Sequence, residues 1–275
     1  MLKQRIITAS ILALLLLAAM FWLPAVAWDA LIVVLVMQGA SEWARLAQMS
    51  LRNAHLFWWL TLALMVGLFW IGEAHFRGYE WVYLVVYLAW AALWLGVVPF
   101  WMAMRWQVRH PLLLALTGWA VLVPTGLAMA QLRAYEPSPW LLLSFMALVW
   151  VADIAAYFFG RKYGKNKLAP NISPGKTWEG VMGAMATVSV CVLLAWAFSS
   201  YSHMLLLAPN LLLASCCWVG LAVIGDLFES LIKRQAGVKD SGALLPGHGG
   251  LLDRVDALTS TLPLVALWLL LQRVI

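Results

Sequence analysis

The sequence predicts an all-α, polytopic integral membrane protein with about nine transmembrane helices and a cytoplasmic N-terminus. Three observations carry this reading: the composition, the number of apolar stretches and the side on which the cations fall. Of the 275 residues, 64% are hydrophobic and 11% are charged, and the mean hydropathy is +0.88. Soluble domains average about 45–50% apolar and about 25% charged residues. A single interior cannot hide this surplus, so lipid must solvate most side chains. The 18 tryptophans agree, because indole rings favour the headgroup region, although several lie mid-segment.

A spanning helix needs about 20 mostly apolar residues. Such stretches fall near 6–23, 25–40, 57–72, 81–104, 112–131, 139–159, 179–198, 205–225 and 257–272. The second is the weakest, being short and starting near Asp29. Lys3 and Arg5 precede the first run, and Ala25-Val26-Ala27 resembles a signal-peptidase site. That run exceeds the about 7–15 residues of a signal h-region, so it reads as a retained first helix.

With the N-terminus cytoplasmic, fifteen of the 18 Lys and Arg residues fall in cytoplasmic segments, and only Arg77, Arg133 and Arg273 fall outside. This is a strong positive-inside bias. It puts the polar loops on the cytoplasmic side, and a bacterial cytoplasmic (inner) membrane is the expected location. The net charge of +6 then reflects basic loops beside anionic lipid. No soluble basic domain exists that would bind nucleic acid. Cys191, Cys216 and Cys217 sit in apolar runs without Cys-x-x-Cys spacing, which indicates neither a zinc site nor a disulfide framework. They read as buried structural thiols.

Residues 1–138 hold about five helices of nearly plain hydrophobic character. Residues 139–275 carry the chemistry, with cytoplasmic loops at 160–178 and 226–256. Seven of the twelve acidic residues lie there: Asp153, Glu179, Asp226, Glu229, Asp240, Asp253 and Asp256.

If the eighth helix continues past the membrane, Asp226, Glu229, Ser230 and Lys233 fall on one face at i, i+3, i+4 and i+7. A solvated helix end held by Glu229–Lys233 is the plainer explanation. Asp226 follows an apolar run, however, and an ionisable group near hydrocarbon is a functional candidate by default. In Lys239-Asp240-Ser241-Gly242 and Pro246-Gly247-His248-Gly249-Gly250, the glycines and proline exclude regular structure. They leave backbone N–H groups to surround an anion, or simply make a tight turn. His248 reads as a phosphate donor, an acid/base group or an incidental loop residue.

Asp253 and Asp256, at i and i+3, open the ninth helix. They either stabilise its N-terminus or, with Asp226, supply hard oxygens to Mg²⁺, which usually takes one or two carboxylates plus substrate phosphates. Phosphoryl-type transfer uses this combination of metal and cations. Gly175-Lys176-Thr177 is not a Walker A motif, since position 170 is Pro and no strand context is evident. Ser173, Lys176 and Thr177 either hold phosphate oxygens or form an ordinary helix start, with Glu179 in the first turn. Asp153 faces the same cavity or pairs with a basic residue nearby.

Ser230-x-x-Lys233-Arg234, Lys239-Asp240, Pro246-Gly-His-Gly-Gly250 and Asp253-Arg254-x-Asp256 together resemble the signature of the phosphatidate cytidylyltransferase (CDP-diacylglycerol synthase) family. Asp153-x-x-Ala-Tyr157-x-x-Gly160-Arg161-x-x-Gly164-Lys165 and Ile172-Ser-Pro-Gly-Lys-Thr-x-Glu179-Gly180 look like it too. The resemblance covers roughly residues 150–260. Many members carry Lys where this chain has Gly175, so no side-chain role passes to that position.

The resemblance implies transfer of the cytidylyl group of CTP to phosphatidate, giving CDP-diacylglycerol and pyrophosphate for phospholipid biosynthesis, with Mg²⁺ as cofactor. It implies metal-linked carboxylates at Asp226, Asp253 and Asp256, with Asp253 ranked first. Lys239 and Arg254 join them as catalytic residues. Ser173, Lys176, Thr177, Ser230, Lys233, Arg234, Asp240, His248, Gly249 and Gly250 are expected to bind substrate. Membrane lipid surrounds the chain, and a second cation and a homodimer are compatible with the reading.

A CDP-alcohol phosphotransferase is a runner-up, but its Asp-Gly-x-x-Ala-Arg opening is absent and its Gly-x3-Asp-x3-Asp spacing fails, because position 257 is Ala. An ion-coupled transporter would show broken sites near mid-membrane and often two related halves. Here the charge gathers at one surface.

Overall fold

A computed structural model describes residues 2–75, 80–104, 106–135, 138–199, 207–244 and 249–274. Helices dominate: α1 (Leu2–Trp22), α2 (Ala25–Leu46), α3 (Leu51–His75), α4 (Glu80–Ala91), a π-helical stretch (Ala92–Val97) running on into α5 (Val98–Met104), α6 (Pro111–Ala134), α7 (Trp140–Tyr163), α8 (Trp178–Ala197), α9 (Leu207–Gln235) and α10 (Leu252–Val274). A two-stranded antiparallel hairpin, β1 (Lys167–Ala169) and β2 (Ser173–Thr177), joins α7 to α8.

Among the described residues, eight helices are long and apolar enough to cross a membrane, with Glu80–Met104 counting as one. The stretch in α1 that meets the apolar criterion, Ser10–Trp22, is shorter. The segment that reads weakest in the sequence, 25–40, is a full 22-residue helix ending at Leu46. Its extra turns carry Glu42 and Trp43 into the interior rather than into a loop.

Helices dominate because lipid offers the backbone no hydrogen-bond partners. Two of them form the centre: 67% of the apolar stretch of α6 and 61% of that of α10 is buried, against 22% for α3. Apolar attraction between helices is weak in lipid, so packing and polar contacts hold them together. Trp43 Nε1 donates to Leu114 O on α6 at 2.8 Å, and Trp90 Nε1 donates to Thr259 O on α10 at 2.9 Å. Ser260 Oγ donates to Leu221 O on α9 at 2.8 Å. Ser189 and Ser215 meet at 2.7 Å between α8 and α9.

The tryptophans divide between two settings: Trp28, Trp43, Trp90 and Trp94 are wholly buried core residues, whereas Trp22, Trp59, Trp81, Trp140 and Trp178 are exposed. The cysteines depart from expectation in the other direction. Cys191 and Cys216 are half-buried and Cys217 is exposed, and all three are free thiols.

One end of the bundle collects the polar connections. Gln48 Nε2 donates to Ala236 O, Gln235 donates to Trp106 O, and Arg234 Nε reaches Ile172 O at 3.5 Å. The segments near 47–50, 106–110, 164–177, 236–244 and 249–251 thus share one face. These are the loops that the charge pattern groups together.

Candidate active site

Small residues bring α7 and α8 into close contact. A side chain at Gly183 would overlap the Phe159 ring and its Cβ, and one at Gly180 would press on Ala156 O. At the end of this helix pair, Thr177 caps α8 by accepting from Gly180 N at 3.2 Å. Glu179 accepts from Asn166 N and, at 2.8 Å, from Asn166 Nδ2, which fixes the base of the hairpin. The expected loop 160–178 is thus largely ordered structure, and strand context does exist at Gly175-Lys176-Thr177. These residues belong to β2 itself, whereas a phosphate loop follows its strand.

The hairpin, α7, α8 and α9 enclose a cavity of about 580 Å³. Its polar part includes Asp153, Arg161, Lys167, Ser173, Lys176 and Asp226, while Ala184, Val219 and Val223 continue it along apolar helix. Lys176 on β2 forms an ion pair with Asp226 Oδ2 on α9. Ser230 Oγ, one turn on, reaches Asp226 Oδ1 at 3.4 Å.

Asp226 to Gln235 form the last turns of α9 rather than a loop, so the expected single face exists. Asp153 on α7, Asp226 on α9 and Asp256 on α10 act on one another electrostatically, and Arg254 acts on Asp153. Three helices therefore present carboxylates to one region, with Lys176 and Arg254 as counter-charges.

Beside this region lies a second network. Lys233 Nζ donates to Glu229 Oε2 at 2.7 Å and to Asp253 Oδ1 at 2.6 Å, and all three side chains are nearly closed to solvent. Asp253 Oδ2 accepts from Ser241 N at 2.9 Å, Gly250 N at 2.8 Å and Ser241 Oγ at 3.0 Å. Both oxygens of Asp253 are thus committed to holding α9, the loop and α10 together. The free backbone donors expected in the loop are likewise engaged at Ser241 and Gly250.

The donors of Leu251 and Leu252 go to a residue that the sequence reading passed over. Glu42, wholly buried on α2, accepts from Leu251 N at 2.9 Å, Leu252 N at 2.9 Å and Ser241 Oγ at 2.8 Å. The available signal was a carboxylate closing an apolar run, one of five acidic residues in the first half.

The other expected residues are placed as follows. Arg234, Lys239 and Asp240 are exposed at the same end of the bundle, with Arg234 NH1 reaching Val238 O at 3.5 Å. Gly249 adopts φ +80°, which glycine takes without strain, and Gly250 is buried. His248 lies outside the described residues, as do Pro246 and Gly247.

Asp226, Asp256 and Asp153 offer hard oxygen donors. Among the described residues, no three His, Cys, Asp or Glu side chains converge as a ready-made cage. That donor set suits an ion that takes one or two carboxylates and completes its shell with phosphate oxygens and water, as Mg²⁺ does.

Comparison with known proteins places this geometry in context. The model of the Cytidylyltransferase family matches residues 3–272, nearly the whole chain. The chain belongs to the cytidylyltransferase family. A phosphatidate cytidylyltransferase of Haemophilus influenzae is 35% identical over 282 residues, which cover 96% of each chain. One of Pseudomonas aeruginosa is 39% identical over 278 residues, covering 98% of this chain and 97% of the relative. A Brucella suis phosphatidate cytidylyltransferase is 45% identical over 146 residues, 52% of each chain. Full-length coverage means that the cytidylyltransferase match includes α2 and its Glu42 as well as the acidic second half.

Proposed function

We propose that this chain transfers the cytidylyl group of CTP to phosphatidate, releasing pyrophosphate and forming CDP-diacylglycerol at the cytoplasmic face of a bacterial inner membrane. The observation that carries the reading is the cavity beside Asp226. Its mouth is cationic and acidic, and its depth is apolar. An anionic lipid headgroup with its glycerol and acyl chains has that same polarity.

In this reading a phosphate oxygen of phosphatidate attacks the α-phosphorus of CTP. The new P–O bond forms as the bond to the β-phosphate oxygen breaks, and pyrophosphate carries away the electron pair. Phosphatidate is already anionic, so no general base is needed, and rate comes from positioning and charge neutralisation. Lys176 and Arg161 line the cavity beside Asp226, and Arg254 acts electrostatically on Asp153; all three would bind phosphate oxygens. Lys239 and Arg234, exposed on the adjoining rim, would bind the departing pyrophosphate.

Asp226 and Asp256 would hold Mg²⁺, and a bound Mg²⁺ would neutralise charge developing on the transferred phosphoryl group. Asp253, whose oxygens are already bonded to Lys233, Ser241 and Gly250, would keep Asp256 in register one turn away. Lys233 neutralises two carboxylates and acts within the protein.

The test is pyrophosphate release from CTP by purified protein, with phosphatidate and Mg²⁺ supplied singly and together. Release is expected only when both are present. Release without lipid, or none under any condition, would overturn the assignment.

A further inference from the structure

We propose that Glu42, on a helix outside the acidic half of the chain, is a positioning residue for the CTP-binding part of the site. The inference rests on the reaction proposed above. Glu42 is wholly buried, and each of its oxygens has two donors. Oε1 accepts from Gln38 Nε2 at 2.9 Å and Leu251 N at 2.9 Å. Oε2 accepts from Ser241 Oγ at 2.8 Å and Leu252 N at 2.9 Å.

Leu251 and Leu252 supply the backbone N–H groups that open α10, which no helical carbonyl can satisfy. A carboxylate supplied by another helix fills that role here, where an N-cap side chain ordinarily would. The opposing charge of the helix terminus favours an anion at this point.

Ser241 Oγ lies between two carboxylates, 2.8 Å from Glu42 and 3.0 Å from Asp253. Ser241 thus ties the loop to both carboxylates, Glu42 on α2 and Asp253 on α10. Gly250 shows how closely they meet. A Cβ there would overlap both Ser241 Oγ and Glu42 Oε2, so glycine is required by space alone. Ser241 directly follows Lys239 and Asp240, and Asp256 lies one turn into α10. The position of Glu42 therefore sets both the exposed Lys239–Asp240 rim and the start of the helix that carries Asp256.

Glutamine at this position keeps size and shape but turns an NH₂ group toward the Leu251 or the Leu252 backbone N–H, neither of which can accept. One contact must become a donor–donor conflict, which displaces the loop while α2 stays intact.

The experiment compares full-length wild type, Glu42→Gln, Ser241→Ala and the double variant, purified in detergent and assayed in phosphatidate mixed micelles. KM for CTP should rise about tenfold in Glu42→Gln and about threefold in Ser241→Ala. KM for phosphatidate should stay within about twofold, and the double variant should be no worse than Glu42→Gln alone, because the two groups act as one unit. A merely structural defect lowers the folded fraction and leaves KM untouched.

Unchanged KM for CTP in folded variants, or effects that multiply, would overturn the proposal. If Glu42→Gln does not fold, Ser241→Ala carries the test on the same criterion. Failure of both to fold would assign Glu42 a structural role only. The wild-type arm separates the two readings: inactivity there removes the reaction itself, whereas an active wild type with normal variants removes only the role of Glu42.

Discussion

Lys233 Nζ lies 2.6 Å from Asp253 Oδ1, and this contact joins the end of α9 to the start of α10 across the signature loop. The same ammonium is 2.7 Å from Glu229 Oε2, whose partner oxygen, Oε1, is buried without a hydrogen bond among the described residues. One cation therefore serves two buried carboxylates.

Replacing Lys233 by Met should destabilise the protein by about 3–5 kcal/mol, because it strands buried charge. Glu229 suffers most, since Asp253 retains its bonds from Ser241 and Gly250. Adding Glu229→Leu should restore most of the thermal stability, because an apolar pair can replace a buried ion pair at little cost. Activity should stay low, since the Asp253 tie to α9 is still missing. Melting of the single and double variants in detergent decides the matter; equal melting points would refute it.

Lys176 and Asp226 present the opposite case. Their side chains are 25% and 31% exposed, so the ion pair contributes roughly 0–1 kcal/mol to folding. Yet the pair sits at the cavity mouth, where charge on a transferring phosphoryl group would be met. Lys176→Ala should leave the melting temperature nearly unchanged while lowering kcat/KM on the order of 10²-fold. Asp226→Asn should do likewise, and adding Mg²⁺ should recover part of its loss. A variant with normal kcat/KM would take that residue out of the site.

The grouping of loops carries a topological prediction. Lys165 belongs to the basic face that also holds Arg161, Lys162 and Lys167. A single cysteine at Lys165, in a chain whose three native cysteines are replaced, should react with a membrane-impermeant maleimide in inverted vesicles and stay protected in spheroplasts. The reverse pattern would put the site on the wrong side for cytoplasmic CTP.

Much of this was legible in the sequence because the signals are local. Apolar run length marked the helices, and the i, i+3 and i+4 spacings put Asp226, Ser230, Glu229 and Lys233 on one face of α9 before any contact was known. What was hidden depends on chain-distant neighbours. Glu42 looked like one charge at the end of a weak span, and only the fold brings Leu251 and Leu252 to it. Asp253 and Asp256 were alike in the sequence, but Ser241 and Lys233 occupy the first, whereas the second accepts from Ala257 N and lies within electrostatic reach of Asp226. The helix start at Thr177 was among the readings of the sequence, but the hairpin strands were obscured by Pro170, Pro174 and Gly175, which weaken any strand pattern. The burial of Trp28 and Trp94 was equally invisible, because an indole suits either a headgroup or a core.

The contact between α7 and α8 sets the width of the cavity, and Gly183 controls it. A methyl group at Gly183 would overlap the Cβ of Phe159 as well as its ring, so turning the ring cannot relieve the clash. The helices must separate, and close packing of small residues is what holds transmembrane helices together. Overpacking of this kind costs about 1–3 kcal/mol. Gly175 is the control, since nothing lies within 4 Å of a Cβ built there. Gly183→Ala should therefore lower the melting temperature and weaken phosphatidate saturation, because the apolar depth of the cavity lies between these helices. Gly175→Ala should change neither. If Gly183→Ala melts and binds lipid like wild type, α7 and α8 do not define the lipid side of the site.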